Sequence, residues 1–426
     1  MTIYYVDTSQ GSNGTGTFAN PYNTPASVST IAGDTVLFKC GTTIPASAMV
    51  ASMTVKNNIT IAEYGTGNKP IISGSITVAP ASFTQDGANG VWYYDTGNST
   101  SGFISEDDIP MNFTVWNTNI ATTKASMSVG SFTIDPLTTP SNHRLYIKIS
   151  GDNPTGKTYK LAGTKRGIIN NGVPNSNLII RNLAFTYLSY TGLELYNASN
   201  FNVSGLDFSY IGANWETGVS LPVGNGIQIG YGSFIGEVDL CTATDIFDTA
   251  YSPQMFLTNE HINDISFTNL TANKCGMSAF ECSIPSSATE QYVKNILVDG
   301  LTATNIGSNN WSGARGGAVL GVYTSGSNTS KVVTNNTFKN ITASTVKHLV
   351  KTSDTRGTNR FINISGTNIS SSLIYEISST SVDVHQYSNV RGTLSADLNT
   401  IVNLTNTGKW VSTTGIALPT RTILSR

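Results

Sequence analysis

"INDISFTNLTANKC" (Ile262–Cys275) followed by "VKNILVDGLTATNI" (Val293–Ile306) decides the fold. In both stretches apolar and polar residues alternate, and the chain then turns at Asn, Gly, Ser or Thr. The pattern recurs outward in both directions. Upstream stand "NLIIRNLAFTYL" (Asn177 on), "NFNVSGLDFSYI" (Asn200 on) and "IGEVDLCTATDIF" (Ile235 on); downstream stand "VVTNNTFKNITAST" (Val332 on) and "NRFINISGTNISSS" (Asn359 on). Period-2 patterning that returns every roughly 20–40 residues is the mark of a solenoid. No single copy buries its apolar face, so successive copies must stack as coils. Such a rod offers a long, laterally open face that suits a polymer better than a small molecule.

Composition agrees. Charged residues make up 12% of the 426, against about 25% in an average soluble protein. Hydrophobic residues reach 39% and fall in strand register, which excludes a disordered chain. Asn and Thr at turns are suited to hydrogen-bonding the backbone of neighbouring coils. The net charge is −2 and there is no Lys/Arg run, so nucleic acid is not an expected partner. No apolar run is long enough to span a membrane. The opening "MTIYYVDTSQGSNG" lacks the basic and apolar regions of a signal peptide, so the expectation is synthesis in a cytosol or prior removal of a leader. Cys40, Cys241, Cys275 and Cys282 fit no zinc spacing and read as reduced, buried thiols. His143, His261, His348 and His385 show no metal-ligand spacing, and no nucleophile elbow, phosphate-binding loop or dinucleotide fingerprint is present. No cofactor and no metal are expected.

Four segments follow. Residues 1–80 read as the N-terminal cap and first coils. Residues 81–165 lose the coil pattern: "VWYYDTG" (Val91 on), "IPMNFTVWNTNI" (Ile109 on), "GSFTIDP" (Gly130 on) and "HRLYIKISGDNP" (His143 on) read as an inserted antiparallel β unit. Its Trp92, Tyr93, Tyr94, Trp116 and Tyr146 are suited to stacking on sugar, or, more plainly, to filling the core of a small sandwich. Residues 166–375 form the main helix. Residues 376–426 hold fading coils and a cap, since a solenoid end must be shielded from edge pairing.

Aligning turns puts "LEL" around Glu194, "IQI" around Gln228, "PQM" around Gln254 and "FEC" around Glu281 in one register. Their central residues are expected to form an outward column at about 4.8 Å per coil. The bland alternative is a solvated face. Glu194 and Glu281 would stand about 14 Å apart, too far to act as a glycosidase pair, whose carboxyls lie about 5–9.5 Å apart. Two partners for Glu281 remain: Asp248 in "IFDTAYSPQ", which otherwise reads as a turn Asx residue, and Glu216 in the insertion "GANWETGVSLPVGNG". That insertion and "GSNNWSGARGG" (Gly307 on) carry Trp215 and Trp311, placed to wall a groove, and Arg315, placed to contact a glycan carboxylate or hydroxyl.

The order "YYVD…GSNGTG…NPY", "GDTVLF", "ITIAEYGTGNKPIISG" resembles the N-terminal coils of right-handed parallel β-helix proteins that act on polysaccharides. These include polysaccharide lyases, glycoside hydrolases, uronan epimerases and phage tailspike depolymerases. The resemblance extends over most of residues 1–80 and 170–375. "FDTAYSPQ" and "CGMSAFE" are similar to strand-and-turn segments of the same proteins, which implies functional roles for Asp248 and Glu281. The implied fold is all-β: a right-handed parallel β-helix with an inserted small antiparallel β unit. The implied function is depolymerisation of a bacterial capsule or lipopolysaccharide by a homotrimeric phage tailspike, with Glu281, Asp248 and Glu216 as catalytic carboxyls. Gln254, Gln228, Glu194, Trp215, Trp311, Arg315 and Tyr251 would hold the glycan. The location would be the virion tail, or outside a bacterium for a secreted enzyme whose leader is removed. A lyase or epimerase acting on uronic acids, with Tyr251, Lys274 or Arg315 as base or cation, is the second expectation, weakened by few cations on the inferred groove. A non-catalytic glycan-binding fibre is the third.

Overall fold

The computed structural model describes the chain outside residues 53–56, 88–89, 99–101, 116–118, 140–141, 150, 152, 171–173, 215–222, 256–260, 285–290, 308–316, 325–330, 354, 378–384, 395–410 and 413–426. Its main body is one 24-stranded sheet whose strands pair in parallel from each coil to the next, a right-handed parallel β-helix.

Inward residues stack one per coil. One such column runs Val36, Ile61, Ile180, Val203, Val238, Phe267, Val298, Phe338, Phe361 and Tyr387, each directly opposite the next. All ten are buried. Where the column turns aromatic the rings lie face on: Phe338 to Phe361 and Phe361 to Tyr387 are both 5.1 Å between centroids. β-Branched and aromatic residues suit this because a parallel sheet buried on one face demands bulk that packs at strand spacing.

The bends come from left-handed residues five apart in sequence. Asp264, Asn269 and Lys274 have φ of 59°, 52° and 52°; Asn295, Gly300 and Asn305 have 57°, 82° and 55°. Asn and Gly are the residues that enter this region at least cost. The same corners then join coil to coil through their side chains. Asn295 Nδ2 donates to Asp264 Oδ1 at 2.7 Å, Asn363 Nδ2 to Asn340 Oδ1 at 3.2 Å and Asn389 Nδ2 to Asn363 Oδ1 at 3.0 Å. Hydrogen-bonded partners one coil apart are separated by 23 residues at Asn340–Asn363 and by 40 at Thr302–Thr342. The corners thus keep constant geometry while the connections between them vary in length.

The coil interrupts itself for two smaller sheets. One has four strands, built from Ser75–Val78, Ile104–Glu106, Ile109–Pro110 and Tyr159–Ala162; the other has five, around Val91–Asn98, Ser131–Thr139 and Asn142–Lys148. Most of their pairings are antiparallel. Phe103, Phe113 and Phe132 form their core, and Phe247 of the helix enters it, 4.9 Å from Phe113. Trp92 and Tyr94 pack against this core, and Tyr93 and Tyr146 into a smaller cluster beside it, as sandwich filling does. At the corner beneath the unit, Tyr187 and Tyr210 replace the usual Asn and stack at 5.1 Å. A covered corner needs apolar area rather than a solvated amide. Trp116 lies outside the described residues, as does most of 376–426, whose described part includes the strands Gln386–Leu394 and Val411–Ser412.

Candidate active site

The candidate site occupies the outer surface of the strands Ala184–Leu195, Asn225–Ile229, Thr249–Pro253, Ser278–Ile284, Ala318–Thr324 and the end of Thr337–Ser353. Leu193, Ile227, Tyr251, Phe280, Leu320 and Val350 point into the core. Their neighbours in sequence therefore face out. In register, these are Glu194 opposite Gln228, Gln228 opposite Ser252, Glu281 opposite Gly321, and Gly321 opposite Lys351. Ser252 falls beside Glu281, because Tyr251 pairs with Phe280.

This corrects the expected column. Gln254 is not a member; it bridges to Ser283, one row further along. The small Ser252 holds the place that the large Gln254 was expected to take. Tyr251 is corrected too. It is fully buried, and its hydroxyl lies 2.8 Å and 2.7 Å from the carbonyl oxygens of Cys241 and Thr271 on the opposite wall of the core. Burial drives its pKa well up, so it remains a neutral structural phenol and does not touch a glycan. The column does not protrude: Glu194, Gln228 and Glu281 are each 1% exposed.

The large polar residues nevertheless converge. Glu281 accepts three neutral hydrogen bonds: from Gln254 Nε2 at 2.6 Å and Ser283 Oγ at 2.7 Å on Oε1, and from Thr249 Oγ1 at 3.2 Å on Oε2. Asn225 extends the network, with Nδ2 3.0 Å from Gln228 Oε1 and 3.4 Å from Gln254 Oε1, while its Oδ1 accepts from Thr249 N. Gln228 Nε2 then donates to the Tyr196 hydroxyl at 2.8 Å. Tyr196 lies over bare backbone: a Cβ at Gly230 would stand 1.8 Å from its ring. Burial, and next the nearby Glu194 carboxylate, raise the Tyr196 pKa far above that of a free phenol.

Asp248 sits at the corner before Thr249. Its amide donates to Gly224 O and its carbonyl accepts from Met277 N. The Thr249 hydroxyl connects this corner to Glu281 in the next coil. Glu194 is engaged by Arg166, Nε to Oε2 at 2.7 Å. Lys274 is elsewhere, on a corner, 3.7 Å from Asp245. Glu216, Trp215, Trp311 and Arg315 lie outside the described residues.

Arg166, Asn225, Thr249, Ser283, His348 and Lys351 were not singled out from sequence. Asn225 was within reach, since it stands three residues before Gln228 as Thr249 does before Ser252 and Ser278 before Glu281. Burial, partly offset by Glu281 and reinforced by Lys347, pulls the Lys351 pKa down. A carboxylate held by neutral donors, a lysine of reduced basicity and a bank of amides form a set able to orient hydroxylated substrate and move a proton.

No protein-family model matches the chain, and no curated protein matches it in sequence. Its fold does match solved structures. A glycoside hydrolase superposes with a TM-score of 0.53 at 9% identity, covering 92% of this chain and 97% of that one. A rhamnogalacturonan lyase gives 0.48 at 11% identity, over 86% and 74%. A tailspike protein of E. coli bacteriophage HK620, in complex with a hexasaccharide, gives 0.38 at 11% identity, over 91% and 56%. The last two overlaps are too loose to carry an argument, and identities this low establish the fold and nothing finer.

Proposed function

We propose that this chain is a polysaccharide depolymerase that cleaves glycosidic bonds at the outer face centred on Glu281. One observation carries the reading. Glu281, Gln254, Asn225, Gln228 and Tyr196, from successive coils, are joined by direct hydrogen bonds on the surface opposite the apolar core. A parallel sheet does not need this, because its backbone bonds are already made coil to coil. Amides and carboxylates in a row along a rod can instead exchange their mutual bonds for sugar hydroxyls. The fold shared with a solved glycoside hydrolase is consistent with it. Glu281 is 1% exposed, so sugar binding has to displace its present neighbours.

In the hydrolytic form Glu281 and a second carboxyl, Asp248 or Glu216, act as proton donor and base across the bond. We further place the protein on a phage tail as a homotrimeric spike against capsule or lipopolysaccharide; a secreted bacterial enzyme is the other setting. Light scattering distinguishes a trimer from a monomer. Lys351, with its lowered pKa and its place two rows from Glu281, favours a second reading, β-elimination on a uronate. The test is a panel of bacterial capsules and lipopolysaccharides. New reducing ends without ultraviolet absorbance from an unsaturated uronate support hydrolysis. The same ends with that absorbance support the lyase reading. Binding without new ends leaves a fibre or adhesin and overturns the enzyme.

A further inference from the structure

The outer face hides its negative charges and shows its positive ones. Both carboxylates of the main column, Glu194 and Glu281, are 1% exposed. Among the described residues, two cations of the same face, Arg166 and Lys351, are not buried: the Arg166 side chain is 30% exposed, and Lys351 is half-buried. Arg166 is fixed on two sides. Its Nε is bound to Glu194 Oε2 at 2.7 Å, and its guanidinium carbon stands 4.7 Å from the centre of the Tyr190 ring. Among the described residues no hydrogen bond engages its terminal nitrogens. Pairing through Nε alone leaves the edge formed by the two terminal nitrogens turned away from Glu194. That edge is the one that matches a planar carboxylate with two parallel hydrogen bonds. Because the ring and Glu194 already hold it, little side-chain freedom is lost when it binds.

Arg166 and Lys351 stand at opposite ends of the face. Ile169 of the Arg166 strand opens a column that continues through Glu194, Gln228, Ser252, Glu281 and Gly321 to Lys351. At about 4.8 Å per coil the two ends are about 29 Å apart. No single small anion spans that distance, whereas a polymer with repeated charges does.

We propose that the face recognises an acidic polysaccharide, with Arg166 anchoring a subsite for the carboxylate of a uronic acid or other acid-bearing sugar. This rests on the glycan-active reading and narrows its substrate class. Arg166 is a specificity residue and takes no part in bond cleavage.

The test uses the full chain carrying Glu281→Gln, so that bound polymer is not degraded. Affinity electrophoresis is run on polygalacturonate, alginate and hyaluronan, each beside its carboxyl-reduced form, with dextran as the neutral control. The expected result is binding of at least one acidic polymer, weakened at least about tenfold by carboxyl reduction. Adding Arg166→Gln should cause a loss of similar size and remove the difference between acidic and reduced forms. Since Arg166→Gln strands Glu194, the Arg166→Gln/Glu194→Gln pair is measured as well and should show the same loss with a folded circular-dichroism spectrum. Equal binding of acidic and reduced polymers, retention of none of the acidic ones, or unchanged selectivity in the folded double variant overturns the subsite. Failure of the subsite is separable from failure of the parent reading. An unchanged variant alongside cleavage of a neutral glycan removes the subsite alone, whereas absence of cleavage on any glycan removes the enzyme.

Discussion

Two surfaces of the same rod treat polar residues in opposite ways. At the corners one kind of residue repeats. Asn295, Asn340, Asn363 and Asn389 have φ between 54° and 57°, and each corner side chain bonds to a polar side chain a coil away. The role is local, and repetition is what gives it value. On the outer face around Glu281 no two successive residues are alike. Glu194, Gln228, Ser252, Glu281, Gly321 and Lys351 follow one another in a column, and their bonds run along and across strands. A concavity of about 420 Å³, lined by Asn200, Asn202, Glu237, Asp264 and Asn295, lies among the repeating corners. Its amides are already engaged, Asn202 with Glu237, Asn295 with Asp264 and Asn200 with Asn177. Repeated polar residues hold the coil, and varied ones line the face proposed above to receive the glycan.

The sharpest way to break this contrast is at Glu281. Glu281→Gln keeps the shape of the side chain and removes the acid. Cleavage should fall about 10²–10⁴-fold, the usual worth of a positioned acid or base, with glycan binding retained. Asp248→Asn should behave likewise, and full activity in both variants would remove the assignment. Initial rates of reducing-end release decide it.

Next in size is an acid-sensitive group of the outer face. His348 is buried, 2.7 Å from Ser372 Oγ and stacked on Tyr375. Burial, then the charges of Lys347 and Lys351, lower its pKa from 6.5 to about 4. The unfolded chain gains this proton near pH 6.5 and the folded chain only near 4. The stabilisation is therefore complete above about 6.5 and lost as the pH falls toward 4, on the order of 3 kcal/mol. Urea unfolding of wild type and His348→Gln across that window should show a steeper acid decline in the wild type; parallel curves would contradict it.

The smallest effects belong to the corners. Asn363→Ala, at φ 54°, should cost about 1 kcal/mol in urea unfolding, and Asn363→Gly clearly less. Ile235 is the reverse case, a β-branched residue at φ 51°, 53% exposed, where Asn200 and Asp264 stand on either side. Ile235→Asn should stabilise by about 1 kcal/mol by relieving that strain. A corner that tolerates alanine as readily as asparagine would show that the ladders are incidental.

Much of this was legible in the chain. The coil repeat shows in the asparagines because only a few residue types accept left-handed corners, so the corners write themselves into the sequence. The inward columns show through alternation. Register on the outer face was harder. In "TAYSPQM" the eye goes to Gln254, yet position along the strand, set by Tyr251 pairing with Phe280, gives the column to Ser252. The same parity places Tyr251 inside, which alternation with Ile227 and Phe280 already implies. Arg166 stood at the edge of a segment read as insertion, where strand patterning is weak. The depth at which Glu281 lies depends on neighbours far away in sequence, which no local pattern encodes.

The central claim is that the varied face, and not the repeating one, receives the sugar. A crystal structure of Glu281→Gln soaked with an oligosaccharide of the glycan that the wild type cleaves tests it most directly. Sugar is expected along Asn225–Ile229, Thr249–Gln254 and Ser278–Ile284, with the substituted side chain at position 281 against a glycosidic oxygen. Sugar seated instead among Asn202, Glu237, Asp264 and Asn295, with the Glu281 network undisturbed, would contradict it.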